Sequence, residues 1–476
     1  MSNLPDATRF YINGRWCEPS GNEFAPLINP ATEKEIGRVS LGNAEDADRA
    51  IAAARNAFDH YSQSTIVERI DLLKAINDQL IKRKSDIAEA VHQTMGAPKG
   101  LAGSAQAGSG PQHFGQIIKE LEDYAFETHH GSTLIRREPV GVSVLITPWN
   151  WPVNQIATKV APALAAGCTM VLKPSEYTPL DAIILAEICH DVGVPKGVFN
   201  LVNGTGSGIG TRLCDHPDVD CISFTGSTRA GTMIGEAAAK DVKRVSLELG
   251  GKSACILLDD ADFVSAVPSA VRGVMLNSGQ SCNATARILS PRKFYEQVCE
   301  IAKETAQSVT LGSDGDIGPL ANRLQFEKVK NFIATGISEG ARLLTGGTDR
   351  PDNLPTGYYV LPTVLANVEP GSTIEQEEIF GPVVTITPYD TLEEAIAIAN
   401  NSEYGLSGAV WSASHEKACD VAAQLRTGMV HINGAGLDAG APFGGYKKSG
   451  NGREWGKYGL EEFLELKSVF GGVPKI

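Results

Sequence analysis

The stretch VGVSVLITPWNWPVNQIATKVAPALAAGCTMVLK, residues 140–173, decides the fold. It opens on an apolar strand from Val140 to Thr147. A helix follows near Val153 to Ala166, and Thr169 to Lys173 is a second strand. The same alternation continues with a helix from Pro179 to Val192 and strands at Val198 to Val202 and Cys221 to Thr225. A helix from Ala230 to Ala239 and a strand from Val245 to Leu249 complete it. Short apolar strands alternating with helices predict a parallel sheet covered on both faces. Such sheets bind ligands at the carboxyl ends of their strands.

Working outward, the first 60 residues read as a strand-rich entry and then a helix. Asn43 is its N-cap, Asp46 follows three residues on, and Ala47, Ile51, Ala54 and Phe58 repeat at helical spacing. A longer helical region is expected from Ile66 to Met95, ending near Gly96 and Pro98. After Gly251 a second α/β pattern begins with a strand at Ala254 to Leu258 and a helix at Phe263 to Leu276. It continues to about Gly445. The tail from Leu460 to Phe470 reads as a further strand.

A chain of 476 residues is too long for one core and implies two or three domains. A net charge of −14, without a basic tract, disfavours nucleic acid and anionic membrane as partners. The longest apolar stretch, Val160 to Leu172, is broken by Pro162 and Gly167. It falls short of the roughly 20 residues that span a bilayer. The N-terminus shows no signal peptide. Nine cysteines without a Cys-x-x-Cys pair indicate neither a disulfide framework nor a metal site. A cytoplasmic location is expected.

The chemistry concentrates where the strands end. Cys282 closes Asn277-Ser278-Gly279-Gln280-Ser281-Cys282, in a glycine-bearing turn after an apolar helix. Glu248 lies in Leu247-Glu248-Leu249-Gly250-Gly251-Lys252, at a strand end and at the junction of the two α/β patterns, where a cleft is expected. A free thiol has a pKa of about 8.5 and attacks carbonyl carbon once ionised. Burial at a junction raises a carboxylate towards the range useful to a general base. Asn150 ends Thr147-Pro148-Trp149-Asn150 and offers a side-chain amide to a developing oxyanion. Taken singly, each has a plain structural alternative: a core cysteine, a surface carboxylate, a turn-forming asparagine.

Six segments in this order resemble the aldehyde dehydrogenase superfamily from about Phe10 to about Gly471. They are the three just quoted, with Lys173-Pro174-Ser175-Glu176, Phe224-Thr225-Gly226-Ser227 and Glu377-Glu378-Ile379-Phe380-Gly381-Pro382. The resemblance implies a modified Rossmann-type cofactor domain, a second α/β catalytic domain and a small β oligomerisation arm. It places the NAD-binding domain at 1–121 and 142–249, the catalytic domain at 250–447, and the arm and tail at 122–141 and 448–476. It implies a homodimer or homotetramer.

The resemblance makes Cys282 the nucleophile, Asn150 an oxyanion donor and Glu248 the base that hydrolyses a thioester. An aldehyde is then oxidised to its acid through a thiohemiacetal. Trp149, Lys173, Glu176, Gly206, Gly226, Ser227, Glu378 and Phe380 are the cofactor residues it implies. The glycine-rich run Gly204 to Gly210 does not itself have the spacing of a dinucleotide fingerprint. Glu176 would accept from ribose hydroxyls and repel a phosphate there, so NAD is preferred, with NADP second. The substrate tunnel is expected from Trp151, Asn154, Gln155, Thr158, Leu276, Ser281, Asn283, Leu437 and Phe443. Several are polar and none is Arg or Lys, which points to an uncharged or hydroxylated aldehyde of medium size, aromatic ones included. The alternatives are a coenzyme A-acylating relative, against which Glu248 argues, and a non-redox cysteine hydrolase or binding protein on the same fold.

Overall fold

The computed structural model describes residues 4–473; the outer ends of the expected first and last segments, 1–3 and 474–476, lie outside it. Two seven-stranded sheets form its frame. Across the first sheet the order is Arg244–Glu248, Cys221–Thr225, Val142–Ile146, Thr169–Lys173, Phe199–Leu201, Phe10–Ile12 and Arg15–Cys17. The first five strands are parallel and the last two are joined antiparallel. Side chains alternate between faces as a strand requires. Val142, Val144 and Ile146 enter a core with Ala47 and Ile51, whereas Leu145, Met170 and Leu172 enter one with Ile156 and Val160. Helices therefore cover both faces.

The second sheet runs Arg342–Thr345, Thr363–Ala366, Val383–Tyr389, Arg287–Pro291, Ala254–Leu257, Gly408–Trp411 and His431–Ile432. All of its pairings are parallel except the first. Arg287 lies fully inside it. Its guanidinium pairs with Glu375 and donates to the carbonyls of Lys252, Ile398 and Ala399 at 2.8–3.0 Å. Removing either partner of so buried a pair leaves an uncompensated charge and is strongly destabilising.

The helical region from Ile66 to Met95 is two helices, Ile66–Lys82 and Lys84–Thr94. The break falls at Arg83, whose side chain binds Asp86 and Glu187 at 2.9 and 2.6 Å. Asn43 does form the expected capping box with Asp46. The tail strand, Leu464–Val469, pairs antiparallel with Thr133–Pro139, which pairs with Glu127–His130. The stretch 448–455, grouped with that tail from sequence, packs elsewhere. Leu249 N–H donates to Ser449 O at 2.9 Å, and Asn451 N–H to Leu247 O at 3.1 Å. It thus extends the edge strand that carries Glu248.

Asp181 shows the cost of burial in this framework. It sits in the first turn of the helix Leu180–Asp191 with one carboxylate oxygen unpartnered. Burial pushes its pKa from 3.8 up to about 7. The folded state then holds a proton that the unfolded chain releases, so stability falls as pH rises between those two values. Asp181→Asn is expected to remove that slope and to stabilise the protein at pH 8 by about 2 kcal/mol. Melting curves of both proteins across this pH range check it.

Candidate active site

The helix Phe263–Met275 ends in a loop that carries Cys282. Asn277 and Ser278 both have positive φ, 55° and 58°. Side-chain-bearing residues adopt that conformation at a cost. Buried amides hold it. Gln106 Nε2 donates to Asn150 O at 3.0 Å and to Asn277 Oδ1 at 3.1 Å. Asn277 Nδ2 donates to Asn150 O at 2.8 Å, and Asn150 Nδ2 to Gln280 O at 2.9 Å. Gln280 donates to Asn277 O at 3.0 Å and accepts from Ala321 N–H at 2.9 Å. Gly251 permits the last approach: a Cβ there would strike the carbonyl oxygen of Cys282.

Two cavities meet at Cys282. The larger, about 480 Å³, is lined among others by Trp151, Asn154, Gln155, Leu276, Ser281, Asn283, Leu437 and Phe443. The smaller, about 190 Å³, is bordered among others by Trp149, Asn150, Gly226, Ser227, Glu378 and Phe380. Thr158 is a correction. It is buried, its hydroxyl donates to Gln155 O at 3.2 Å, and it does not line the larger cavity. Trp151, Asn154 and Gln155 occupy the same helical stripe, but one turn further on that stripe enters the core.

Lys173, Glu176 and Gly206 form a separate cluster and line neither cavity. Lys173 Nζ donates to Pro174 O and Gly204 O at 2.9 and 2.6 Å and faces Glu176 at 3.8 Å. Gly206 starts the turn Gly206–Gly210, and Gly210 packs against the Lys173 stem. Ser227 caps the helix Thr228–Ala239 through Ala230 N–H at 3.3 Å.

Glu248 is 2 % exposed, and neither carboxylate oxygen has a protein partner. Burial raises its pKa well above the ordinary value of 4.5, and Glu454 adds to the rise. Lys159 and Arg453 oppose it. Lys159 is itself buried, paired with Glu454 and donating to Ser223 Oγ at 3.1 Å. Around Cys282, burial and then Glu378, Glu248 and Glu454 push the thiol up, so it rests protonated. Glu378 is anchored by Gly251 N–H at 3.0 Å. Phe380, with φ 60°, stands edge-on to Trp149 at 5.4 Å, and its carbonyl accepts from Gln325 at 2.9 Å.

This arrangement suits a dinucleotide at the strand ends. Thr225 Oγ1, bordering the smaller cavity, has no protein partner, and Trp149 and Phe380 offer flat apolar faces. Sequence reasoning missed His113, Trp455, Lys159 and Glu454. His113 could have been found: Ser109, Gln112 and His113 put polar groups at helical spacing within the helix Ala107–Asp123.

The network predicts a remote dependence. Gln106→Leu leaves two buried acceptors short of a donor and is expected to lower kcat about tenfold at nearly constant KM. Steady-state kinetics, with a melting curve as control, read it.

The family model described as "Aldehyde dehydrogenase family" matches residues 16–469. A 3-succinoylsemialdehyde-pyridine dehydrogenase from a Pseudomonas species is 55% identical over 98% of this chain and 99% of its own length. The crystal structure of a mutant aldehyde dehydrogenase C from Pseudomonas syringae, complexed with NAD⁺ and octanal, matches with a TM-score of 0.99. It is 45% identical and covers 100% of this chain and 99% of its own. An aldehyde dehydrogenase from Mycobacterium tuberculosis complexed with NAD⁺ matches with a TM-score of 0.95 at 40% identity, covering 97% of this chain and 98% of its own.

Proposed function

The chain belongs to the aldehyde dehydrogenase family and oxidises an aldehyde to its acid with NAD, and we propose that Cys282, Asn150 and Glu248 carry the reaction. The supporting observation is that Cys282 alone, among the described residues, borders both cavities. A substrate in the larger cavity and a cofactor in the smaller one would meet at its sulfur. Bound NAD supplies the hydride acceptor.

Cys282 gives its thiol proton to solvent water and its sulfur attacks the aldehyde carbon, whose oxygen becomes the oxyanion. Asn150 Nδ2 carries two hydrogens. One is spent on Gln280 O, and the other is free for the oxyanion with the Cys282 N–H. Loss of hydride leaves a thioester. Glu248, raised by burial and unpartnered, takes a proton from water, which attacks the acyl carbon and releases the acid and the thiol. This base favours hydrolysis over transfer to coenzyme A. Glu176, beside Lys173, supports NAD over NADP.

Among the described residues, no Asp, Glu, Lys or Arg lines the larger cavity. An aldehyde bearing a carboxylate would lose its hydration there without gaining a partner. Uncharged aldehydes of medium size fit, aromatic ones included, such as the pyridine semialdehyde in the name of the Pseudomonas relative. The exposed Leu466 and Phe470 on the three-stranded sheet support self-association there. A reactive thiol among eight further free cysteines suits a reducing cytoplasm.

Cys282→Ala is expected to abolish turnover and keep NAD binding, measured by NADH absorbance and by titration of cofactor. Glu248→Gln is expected to give one NADH per site and then a steady state at least about a hundredfold slower. The base form of Glu248 grows with pH above the ordinary carboxylate range, so the wild-type steady-state rate rises there and the Gln variant's does not. A variant without the initial burst would assign Glu248 to activation of the thiol instead.

A further inference from the structure

The larger cavity has an aromatic wall whose polar end is unassigned. Phe443 stacks on Trp455 with ring centroids 4.7 Å apart, and Trp455 meets the His113 imidazole at 5.0 Å. Trp455 is held at φ 74°, an unusual backbone for a bulky residue and one that over-determined functional walls retain. His113 is 4 % exposed and borders the cavity. Asn154 Nδ2 stands 3.0 Å from His113 Nε2. An amide N–H there makes Nε2 the acceptor, so the neutral ring carries its proton on Nδ1. Nδ1 has no protein partner among the described residues.

From this geometry we propose that His113 is a specificity residue whose Nδ1–H donates to an uncharged acceptor on the substrate, remote from the aldehyde. The acceptor is a ketone oxygen or a ring nitrogen attached to a flat aromatic group lying along Trp455 and Phe443. The inference rests on the aldehyde-oxidising reading above and adds the class of aldehyde. Three features favour a neutral acceptor over an anion. The cavity has no cationic side chain. Asn154 already fills the second ring nitrogen. Burial drops the His113 pKa from 6.5 to about 4, so the ring stays uncharged where the enzyme works. Gln155 Oε1, also at the cavity and without a partner, is an acceptor and discourages a carboxylate further.

The test compares phenylbutanal with its analogue carrying a ketone next to the ring, each at saturating NAD. Wild-type enzyme is expected to prefer the ketone in kcat/KM by about five- to tenfold, mostly through KM. His113→Phe keeps the ring and removes the donor. It should erase that preference, lowering kcat/KM for the ketone about five- to tenfold more than for phenylbutanal. His113→Asn returns an N–H near the Nδ1 position and should restore part of it. Equal oxidation of both aldehydes by wild type overturns the proposal, however the variants fold. Equal loss on both aldehydes in His113→Phe also overturns it and leaves only a structural role. Absence of NADH from either aldehyde, and from simple alkyl aldehydes, would instead remove the underlying reading.

Discussion

One backbone carbonyl, that of Asn150, ties the catalytic elements together. It accepts from Gln106 on a helix and from Asn277 on the cysteine loop, while the Asn150 side chain returns a bond to Gln280. Four side-chain amides thus close a buried circuit across segments more than a hundred residues apart. Left-handed conformations at Asn277 and Ser278 persist because this circuit satisfies the polar groups they expose. The sulfur lies where it does because of hydrogen bonds several residues away.

Charge is arranged with the same economy. Three carboxylates act on Cys282, and the cations that balance them sit elsewhere: Lys159 on Glu454, Arg453 against Gly445 O and Gly452 O. The thiol is therefore held protonated at rest, and the Glu248 carboxyl is shifted towards a stronger base than an ordinary carboxylate. A thiol held protonated is slow to react with passing electrophiles.

Much of this was legible in the sequence. The strands Thr169–Lys173 and Cys221–Thr225 fall on their expected residues because buried parallel strands are short apolar runs between turns. The motif residues lie at strand ends, where such sheets place ligands. The order of strands across each sheet was not legible, since local pattern does not encode which neighbour a strand chooses. Thr158 failed because helical spacing gives the face and not the depth at which a cavity stops. Lys159 and Glu454 escaped for a related reason: they are 295 residues apart, and only the fold makes them a pair. Trp455 carries no local pattern at all and enters the site through the chain's return to the edge of the first sheet.

That return has a consequence for how the enzyme comes into being. Ser449 and Asn451 bond to the strand bearing Glu248, Glu454 neutralises Lys159, and Trp455 walls the cavity. During synthesis the nucleophile emerges from the ribosome long before these residues do. A nascent chain therefore has its cysteine but neither its finished pocket nor its balanced carboxylates. Oxidising power therefore waits for residues 449–455, and a chain cut short of them lacks the finished pocket in which an aldehyde is oxidised.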